Sequence, residues 1–143
     1  MTNKLNLQEN AAANILHMIY DIRGKQVMVD SDLAKLYQVE TKVLNQAVRR
    51  NISRFPVEFM FQLNQVEYDN LRSQIVTSSF SSEHGGRRYP PFVFTEQGIA
   101  MLSAVLRSDV AIEVSIRIMN AFVEMRKFIS NNSLLFEKLS IPS

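Results

Sequence analysis

Residues Asp30–Arg54, DSDLAKLYQVETKVLNQAVRRNISR, predict two short helices joined by a tight turn. The first helix is expected over residues 31–37 and the second over residues 41–53. The connection consists of Gln38, Val39 and Glu40. Two helices around a turn of three or four residues are typical of a helix-turn-helix, whose second helix lies in the major groove of DNA.

The second predicted helix has an apolar side and a polar side. At helical spacing the apolar side consists of Leu44, Ala47, Val48 and Ile52. The polar side carries no carboxylate and consists of Lys42, Asn45, Gln46, Arg49 and Ser53. Arginine and lysine pair with guanine, and asparagine and glutamine with adenine, so we expect base contacts from Lys42, Asn45, Gln46 and Arg49. The flanking Arg50 and Arg54 suit phosphate groups.

The charge of this stretch is concentrated and positive. Residues 41–54 carry a net charge of +4 with no acidic residue, whereas the whole chain carries only +2. The ordinary alternative is the solvated face of an amphipathic helix, which commonly bears lysine and arginine. The acid-free face, the preceding helix and the turn together balance that alternative, and both interpretations stay open.

Length and composition limit the class of protein. A chain of 143 residues with 46% apolar residues is one globular domain with a real core. Because there is no cysteine, disulfides, thiol catalysis and cysteine-ligated zinc are excluded. The N-terminus lacks a signal-peptide pattern, and the longest nearly apolar run, residues 98–106, is too short to span a bilayer. We therefore expect a cytoplasmic protein.

Short strand patterns surround the two helices. Residues 18–22 and 25–29 predict a hairpin around Arg23-Gly24, since glycine permits the positive φ of a tight turn. Residues 59–63 and 92–94 predict two further strands that pair with each other. The fold class is therefore α+β, mostly helical with a small antiparallel sheet and an embedded helix-turn-helix.

Several predicted helices begin with a residue able to cap them. Asp30 or Ser31 can cap the first helix, and Asn64 can cap a helix over residues 65–75. Thr95 can cap the next helix. Gly98 then occupies the position of a capping-box carboxylate, so that box is incomplete.

The loop over residues 77–91 is serine-rich and ends in a basic tip. Arg87 and Arg88 follow two glycines there, and a wing-like loop of this kind could reach a phosphate backbone. A plain soluble loop is the alternative. Long loops in compact domains are more often functional or disordered than idle.

The last predicted helix runs from Asp109 to about Ile129. An apolar seam with a spacing of four, three and four residues consists of Ile118, Phe122, Met125 and Ile129. A heptad seam continued through Asn132 could hold a homodimer through the C-terminal helix. The stronger alternative is that the seam packs on its own core and that Ser130-Asn131-Asn132-Ser133 ends the helix. The domain boundaries expected are an arm over residues 1–16, a domain over 17–129 and a tail over 130–143.

Signs of catalysis are absent from the sequence. The two histidines have no metal-ligand spacing, and Gly85-Gly86 alone is not a phosphate-binding loop. We therefore expect no enzyme activity, no catalytic residue, no metal site and no cofactor.

Motifs in the same order as in a known family extend along most of the chain. They are IRGKQVM (22–28), LAKLYQVETK (33–42), LNQAVRRN (44–51), RFP (54–56), FMFQL (59–63), LRSQI (71–75), GRRY (86–89) and FTEQG (94–98). Over residues 18–126 the chain resembles the phage open-reading-frame-six N-terminal domain, a relative of the KilA and Bro N-terminal domains. The resemblance implies a DNA-binding module of phages, prophages and bacteria, which is often joined to a separate C-terminal domain.

Two departures from the family pattern stand out. Gln38 occupies the turn position where the family often has glycine, which implies strain or a different turn geometry. Residues 130–143 are too few for a second domain, so we expect none to follow.

The combined interpretation is a double-stranded DNA-binding protein of phage or prophage type that regulates transcription. The alternative is a protein-interaction module, similar to an antirepressor, that acts on another phage or host regulator through the C-terminal helix. An enzyme acting on DNA is the least favoured class.

Overall fold

A tight hairpin opens the sheet. The computed structural model describes residues 14–74 and 89–140, with side chains described as far as residue 132. Strand β1 (Ile19–Ile22) pairs antiparallel with β2 (Lys25–Val29). The connecting residues Arg23 and Gly24 both have positive φ, 57° and 72°. Positive φ at both central positions matches the right-handed twist of paired strands, and the predicted hairpin is confirmed.

Two short strands complete a four-stranded antiparallel sheet. Strand β3 (Met60–Gln62) pairs with β4 (Phe92–Phe94), which confirms the predicted pairing. Strand β4 also pairs with β2, so the sheet order is β1-β2-β4-β3. The strand that comes last in sequence therefore lies inside the sheet, between two strands from the first half of the chain.

In the described part of the chain, five helices of eight residues or more cover the two faces of this sheet. They are α1 (Asp30–Tyr37), α2 (Thr41–Arg50), α3 (Gln65–Gln74), α4 (Glu96–Leu106) and α5 (Asp109–Ser140), with a 3-10 turn over Ile52–Arg54. Met28 packs into a large core with α1, α2, α4 and α5. Val27 and Val29 pack on the opposite side with Tyr68 and Leu71 of α3. The fold is α+β, as predicted, with three layers.

Helix starts follow the local sequence closely. Asn64 Oδ1 accepts a hydrogen bond from the Glu67 backbone N–H at 2.8 Å, and Glu67 Oε1 accepts one from the Asn64 N–H at 2.9 Å. This reciprocal pair is a capping box, and it confirms Asn64 as the cap of α3. Thr95 Oγ1 accepts a longer bond, 3.4 Å, from the Gly98 N–H and caps α4.

The glycine in the first turn of α4 has a steric reason. A Cβ atom built on Gly98 would lie 2.1 Å from the carbonyl oxygen of Phe59. Thr95 Oγ1 donates to the neighbouring Glu58 carbonyl at 2.7 Å. The start of α4 therefore packs directly against the chain that enters β3. A residue with a Cβ atom at position 98 would not allow this short distance.

The expected end of the last helix is wrong. Helix α5 does not stop at Ser130–Ser133 but continues to Ser140. Most of the expected tail, residues 130–143, is therefore part of the helix. Serine and asparagine each cost less than about 0.7 kcal/mol in a helix interior, so they do not end a helix without a glycine or proline. The seam residues Ile118, Phe122 and Met125 pack against the domain's own core, as the stronger alternative held.

The residues just before position 17 pack against the domain. Residues 14–17 are helical, and Ile15 is buried in the core. The rest of the expected arm, residues 1–13, lies outside the described residues, and so do residues 77–88 of the expected basic loop.

Candidate nucleic-acid interface

The turn between α1 and α2 is closed by backbone hydrogen bonds. Gln38 has φ 62° and ψ 41°, the left-handed conformation. Its N–H donates to the Lys35 carbonyl at 3.1 Å, and the N–H of Val39 donates to the Ala34 carbonyl at 3.0 Å. These two bonds form a Schellman motif, whose left-handed position is usually glycine. The strain expected from Gln38 is therefore present, and the turn keeps its ordinary geometry.

Helix α1 is fixed at both ends. At its start, the buried Asp30 carboxylate accepts a hydrogen bond from the Ser31 N–H at 2.7 Å. A carboxylate at a helix N-terminus satisfies free N–H groups and interacts favourably with the helix dipole. At its end, the Tyr37 hydroxyl lies 2.7 Å from Ser115 Oγ on α5. Burial raises the pKa of Tyr37 to about 12, so this hydroxyl stays protonated at neutral pH.

Helix α2 is joined to α1 by a side-chain bond as well as by packing. Asn45 Nδ2 donates to Asp30 Oδ2 at 3.0 Å. Leu44 and Val48 are buried in the same core as Leu33. The orientation of α2 is therefore set by apolar contacts on one side and by one amide–carboxylate bond. Asn45, which the sequence analysis placed among base-contacting residues, is half-buried with its amide directed at Asp30.

The other predicted contact residues of α2 face solvent. Exposed side chains on α2 and the following turn include Lys42, Gln46, Arg49, Arg50, Ser53 and Arg54. Within residues 14–74 and 89–132, only Lys42 among these cations has an ion-pair partner, Glu40 at 3.6 Å. Both members of that pair are more than 70% exposed, so it contributes little. The three arginines present an uncompensated positive surface, which we call the α2 basic face.

The end of α2 differs from the sequence expectation. The α-helix stops at Arg50, and Asn51 Nδ2 donates to the Ala47 carbonyl at 2.9 Å. The 3-10 turn that follows changes the direction of the chain, and Ile52 becomes 54% exposed rather than buried. Its placement on the apolar side of a continuous helix is wrong because that helix ends two residues earlier.

Two apolar residues that the sequence analysis missed border the α2 basic face. Val43 is 43% exposed in the first turn of α2, and Ile52 lies near its end. Apolar side chains among arginines can contact the methyl groups of thymine. The helical period could have revealed Val43, since it lies three residues before Gln46. Arg87 and Arg88, expected on a wing-like loop, lie outside the described residues.

Other kinds of site find no support among the residues that the structure describes. No group of three or more histidine, aspartate or glutamate side chains there could hold a metal ion. No helix in the same residues is long and apolar enough to cross a bilayer.

Comparison with protein families identifies the domain that carries this surface. A family model for the ORF6N domain matches residues 17–105. The chain belongs to the ORF6N domain family. The matched region contains α1, the turn and α2, so the α2 basic face lies inside the ORF6N domain, whereas α5 lies beyond it. No curated protein and no solved structure matches the chain.

Proposed function

We propose that this ORF6N protein binds double-stranded DNA through the α2 basic face and acts as a transcription regulator of phage or prophage type. The observation that carries the proposal is the set of Arg49, Arg50 and Arg54, all exposed and without an acidic partner in the described residues. Unpaired arginines on a helix and on the turn that follows it provide the charge that releases counterions from DNA. The proposed setting is the cytoplasm.

The geometry of α1 and α2 supports a major-groove mode. Helix α2 is ten residues long, about 15 Å, which suits the major groove in length. Its buried side is Leu44 and Val48, and its other side is free to enter a groove. Within this helix-turn-helix proposal, Lys42, Gln46 and Arg49 contact base edges, while Arg50 and Arg54 contact phosphates.

Asn45 has a more restricted role in this proposal than the sequence alone indicated. Its amide nitrogen is bonded to Asp30, so only its remaining donor and acceptor capacity is available to a base. We propose that Asn45 mainly holds α2 at its angle to α1. Arg87 and Arg88, which precede β4 in the sequence, remain proposed contacts to the DNA backbone.

The experiment that tests the proposal measures DNA affinity across a salt series. Fluorescence anisotropy of a mixed-sequence duplex would compare the wild type with Arg49→Ala and with the Arg49→Ala, Arg50→Ala double variant. Each phosphate contact that is lost reduces the slope of log affinity against log salt by about 0.9, so we expect a reduction of between about one and two units.

The matched control is an arginine on the other face of the sheet. Arg72 lies on α3, where its guanidinium is 5.3 Å from the Tyr68 ring centroid. Arg72→Ala removes the same charge as either single substitution, but we expect it to leave affinity and salt slope nearly unchanged. Equal losses in Arg72→Ala and in Arg49→Ala would contradict a specific α2 surface, and absence of binding by the wild type at low salt would contradict DNA binding.

One structural observation favours the alternative to DNA binding, which is a protein-interaction module. Helix α5 exposes Ile112 and Ile116, which are 50% and 56% exposed. Surface apolar residues that follow one side of a helix are typical of protein contacts. These isoleucines and the α2 basic face lie on different helices, so the two functions do not exclude each other.

A further inference from the structure

One residue in the first turn of α2 is apolar and exposed. Val43 is 43% exposed and belongs to neither of the two cores, while Lys42 and Gln46 beside it are exposed and polar. Branching at Cβ makes valine a weaker helix former than lysine, glutamine or arginine. Neither core packing nor helix propensity therefore explains a valine at this position.

The helical positions of α2 show which residue points farthest from the domain. Leu44 and Val48 are the buried residues of α2. At 100° per residue, Gln46 lies about 180° from the midpoint of Leu44 and Val48. Val43 lies about 60° from Gln46 around the helix and three residues before it. In a helix-turn-helix the N-terminal residues of the second helix contact base edges, and Val43 is one of these residues.

The charges around Val43 indicate what covers it. Arg50 lies within about 20° of Val43 around the helix and about 10 Å farther along it. Arg50 is exposed and makes no ion pair within the described residues. An apolar protein surface over Val43 would cover this charge without neutralising it, which is costly. The major groove of DNA instead offers phosphates for the arginine and the methyl group of thymine for the valine.

We propose that Val43 is a specificity-determining residue that packs on the C5-methyl group of a thymine in the major groove. This inference rests on the proposed DNA-binding function and extends it to sequence preference. Gln46 is about 4.5 Å farther along α2, slightly more than the spacing of about 3.4 Å between base pairs. The two side chains therefore reach neighbouring base pairs, and the preferred site holds a thymine beside an adenine that Gln46 contacts.

The test begins with selection of a preferred site by the full chain from a duplex pool with a randomised centre. Each thymine of the selected duplex is then replaced in turn by uracil, which lacks only the C5-methyl group. Burial of one methyl group corresponds to about a fourfold change in affinity. We therefore expect at least one uracil replacement to weaken wild-type binding by about fourfold, measured by fluorescence anisotropy.

The substitution Val43→Ala tests whether the valine is responsible. Alanine is a better helix former than valine and the position is exposed, so the variant should stay folded. We expect Val43→Ala to bind the thymine and uracil duplexes with equal affinity. Its salt slope should match that of the wild type, because no charge is removed. The matched control is Val66→Ala on α3, where Val66 is 68% exposed, and it should respond to uracil as the wild type does.

Failure of the thymine contact and failure of DNA binding give different results. A wild type that binds DNA without any response to uracil would overturn the contact, and so would a response that persists in Val43→Ala. Both results leave the DNA-binding proposal intact. A wild type that binds no duplex at low salt would contradict DNA binding and the thymine contact together.

Discussion

The arginines around α3 and the arginines of α2 have different surroundings. On the α3 side, Arg23 Nε donates to Glu67 Oε2 at 2.7 Å and Nη2 donates to Oε1 at 2.9 Å. The same guanidinium lies 4.4 Å from the Phe61 ring centroid. Arg72 is placed over Tyr68 on this side as well. The guanidinium groups of these arginines already make hydrogen bonds or cation–π contacts within the protein.

The arginines of α2 and of the turn that follows it have no such partners among the described residues. Arg49, Arg50 and Arg54 are exposed and make no ion pair there. The contrast shows that arginine content alone says little about DNA binding. What matters is whether the fold itself already uses the guanidinium, and by this criterion Arg49, Arg50 and Arg54 are available to a ligand.

The largest expected loss of stability follows a substitution at the start of α4, which packs on the same core as α2. Gly98→Ala would place a Cβ atom 2.1 Å from the Phe59 carbonyl oxygen and force α4 away from the chain entering β3. We expect a loss of about 3 kcal/mol in the free energy of unfolding, measured by urea denaturation. Gly24→Ala, which has no atom within 4 Å but a positive φ, should cost only about 1–2 kcal/mol. A smaller loss in Gly98→Ala than in Gly24→Ala would contradict the steric argument.

A smaller loss of stability should distinguish α2 side chains that fix the helix from those that only face solvent. Asn45→Ala leaves the buried Asp30 carboxylate without one of its donors, so we expect a loss of about 1–3 kcal/mol in unfolding free energy. Gln46→Ala, an exposed neighbour on the same helix, should change stability by less than about 0.5 kcal/mol. The reverse order of stabilities would mean that Asn45 is not the residue that fixes α2.

Relief of strain in the turn should have a smaller effect of opposite sign. Gln38→Gly removes a side chain from a left-handed position while keeping both backbone bonds of the Schellman motif. We expect stabilisation by about 1 kcal/mol, seen as a rise in Tm, because glycine adopts positive φ without steric cost. Unchanged DNA affinity in this variant would show that the turn residue does not contact DNA. A fall in Tm would contradict the strained turn.

The smallest effect concerns the ion pair of the α3 side. The hydrogen bond from Arg23, with a further one from the Asn64 backbone N–H, holds the pKa of Glu67 below its usual value of 4.5. A lowered folded-state pKa gives a stability contribution that is complete above the unfolded-state pKa and is lost as pH falls through the folded-state pKa. The Tm difference between wild type and Glu67→Gln should therefore be constant above about pH 5.5 and shrink below about pH 4.5. A difference that persists at lower pH would contradict the charge-based account.

Local features of this fold could be predicted from the sequence because their causes are local. Arg23-Gly24 supplies the positive φ values of the hairpin, and Asn64 with Glu67 supplies a capping box within four residues. The alternation of exposed and buried residues in α2 likewise follows from helical periodicity. This is why Lys42 and Arg49 were placed correctly at the surface.

Features that depend on distant contacts could not be predicted in this way. The bond between Asn45 and Asp30 joins two helices, and helical periodicity alone placed Asn45 on the polar side. The central position of β4 depends on its pairing with β2, more than sixty residues earlier in the chain. Helix α5 continues beyond Ile129 because serine and asparagine disfavour a helix only weakly. The sequence analysis gave the run Ser130–Ser133 too much weight as a helix end.

The most direct test of the central claim maps the DNA contact on the protein itself. Amide resonances of the 16.4 kDa chain can be followed by two-dimensional NMR while a short duplex is added at moderate salt. We expect the largest shifts at residues 41–54 and little change at residues 65–74 of α3. Shifts concentrated on α3, or shifts absent from α2 while DNA binds, would contradict the assignment of the α2 basic face as the DNA-binding surface.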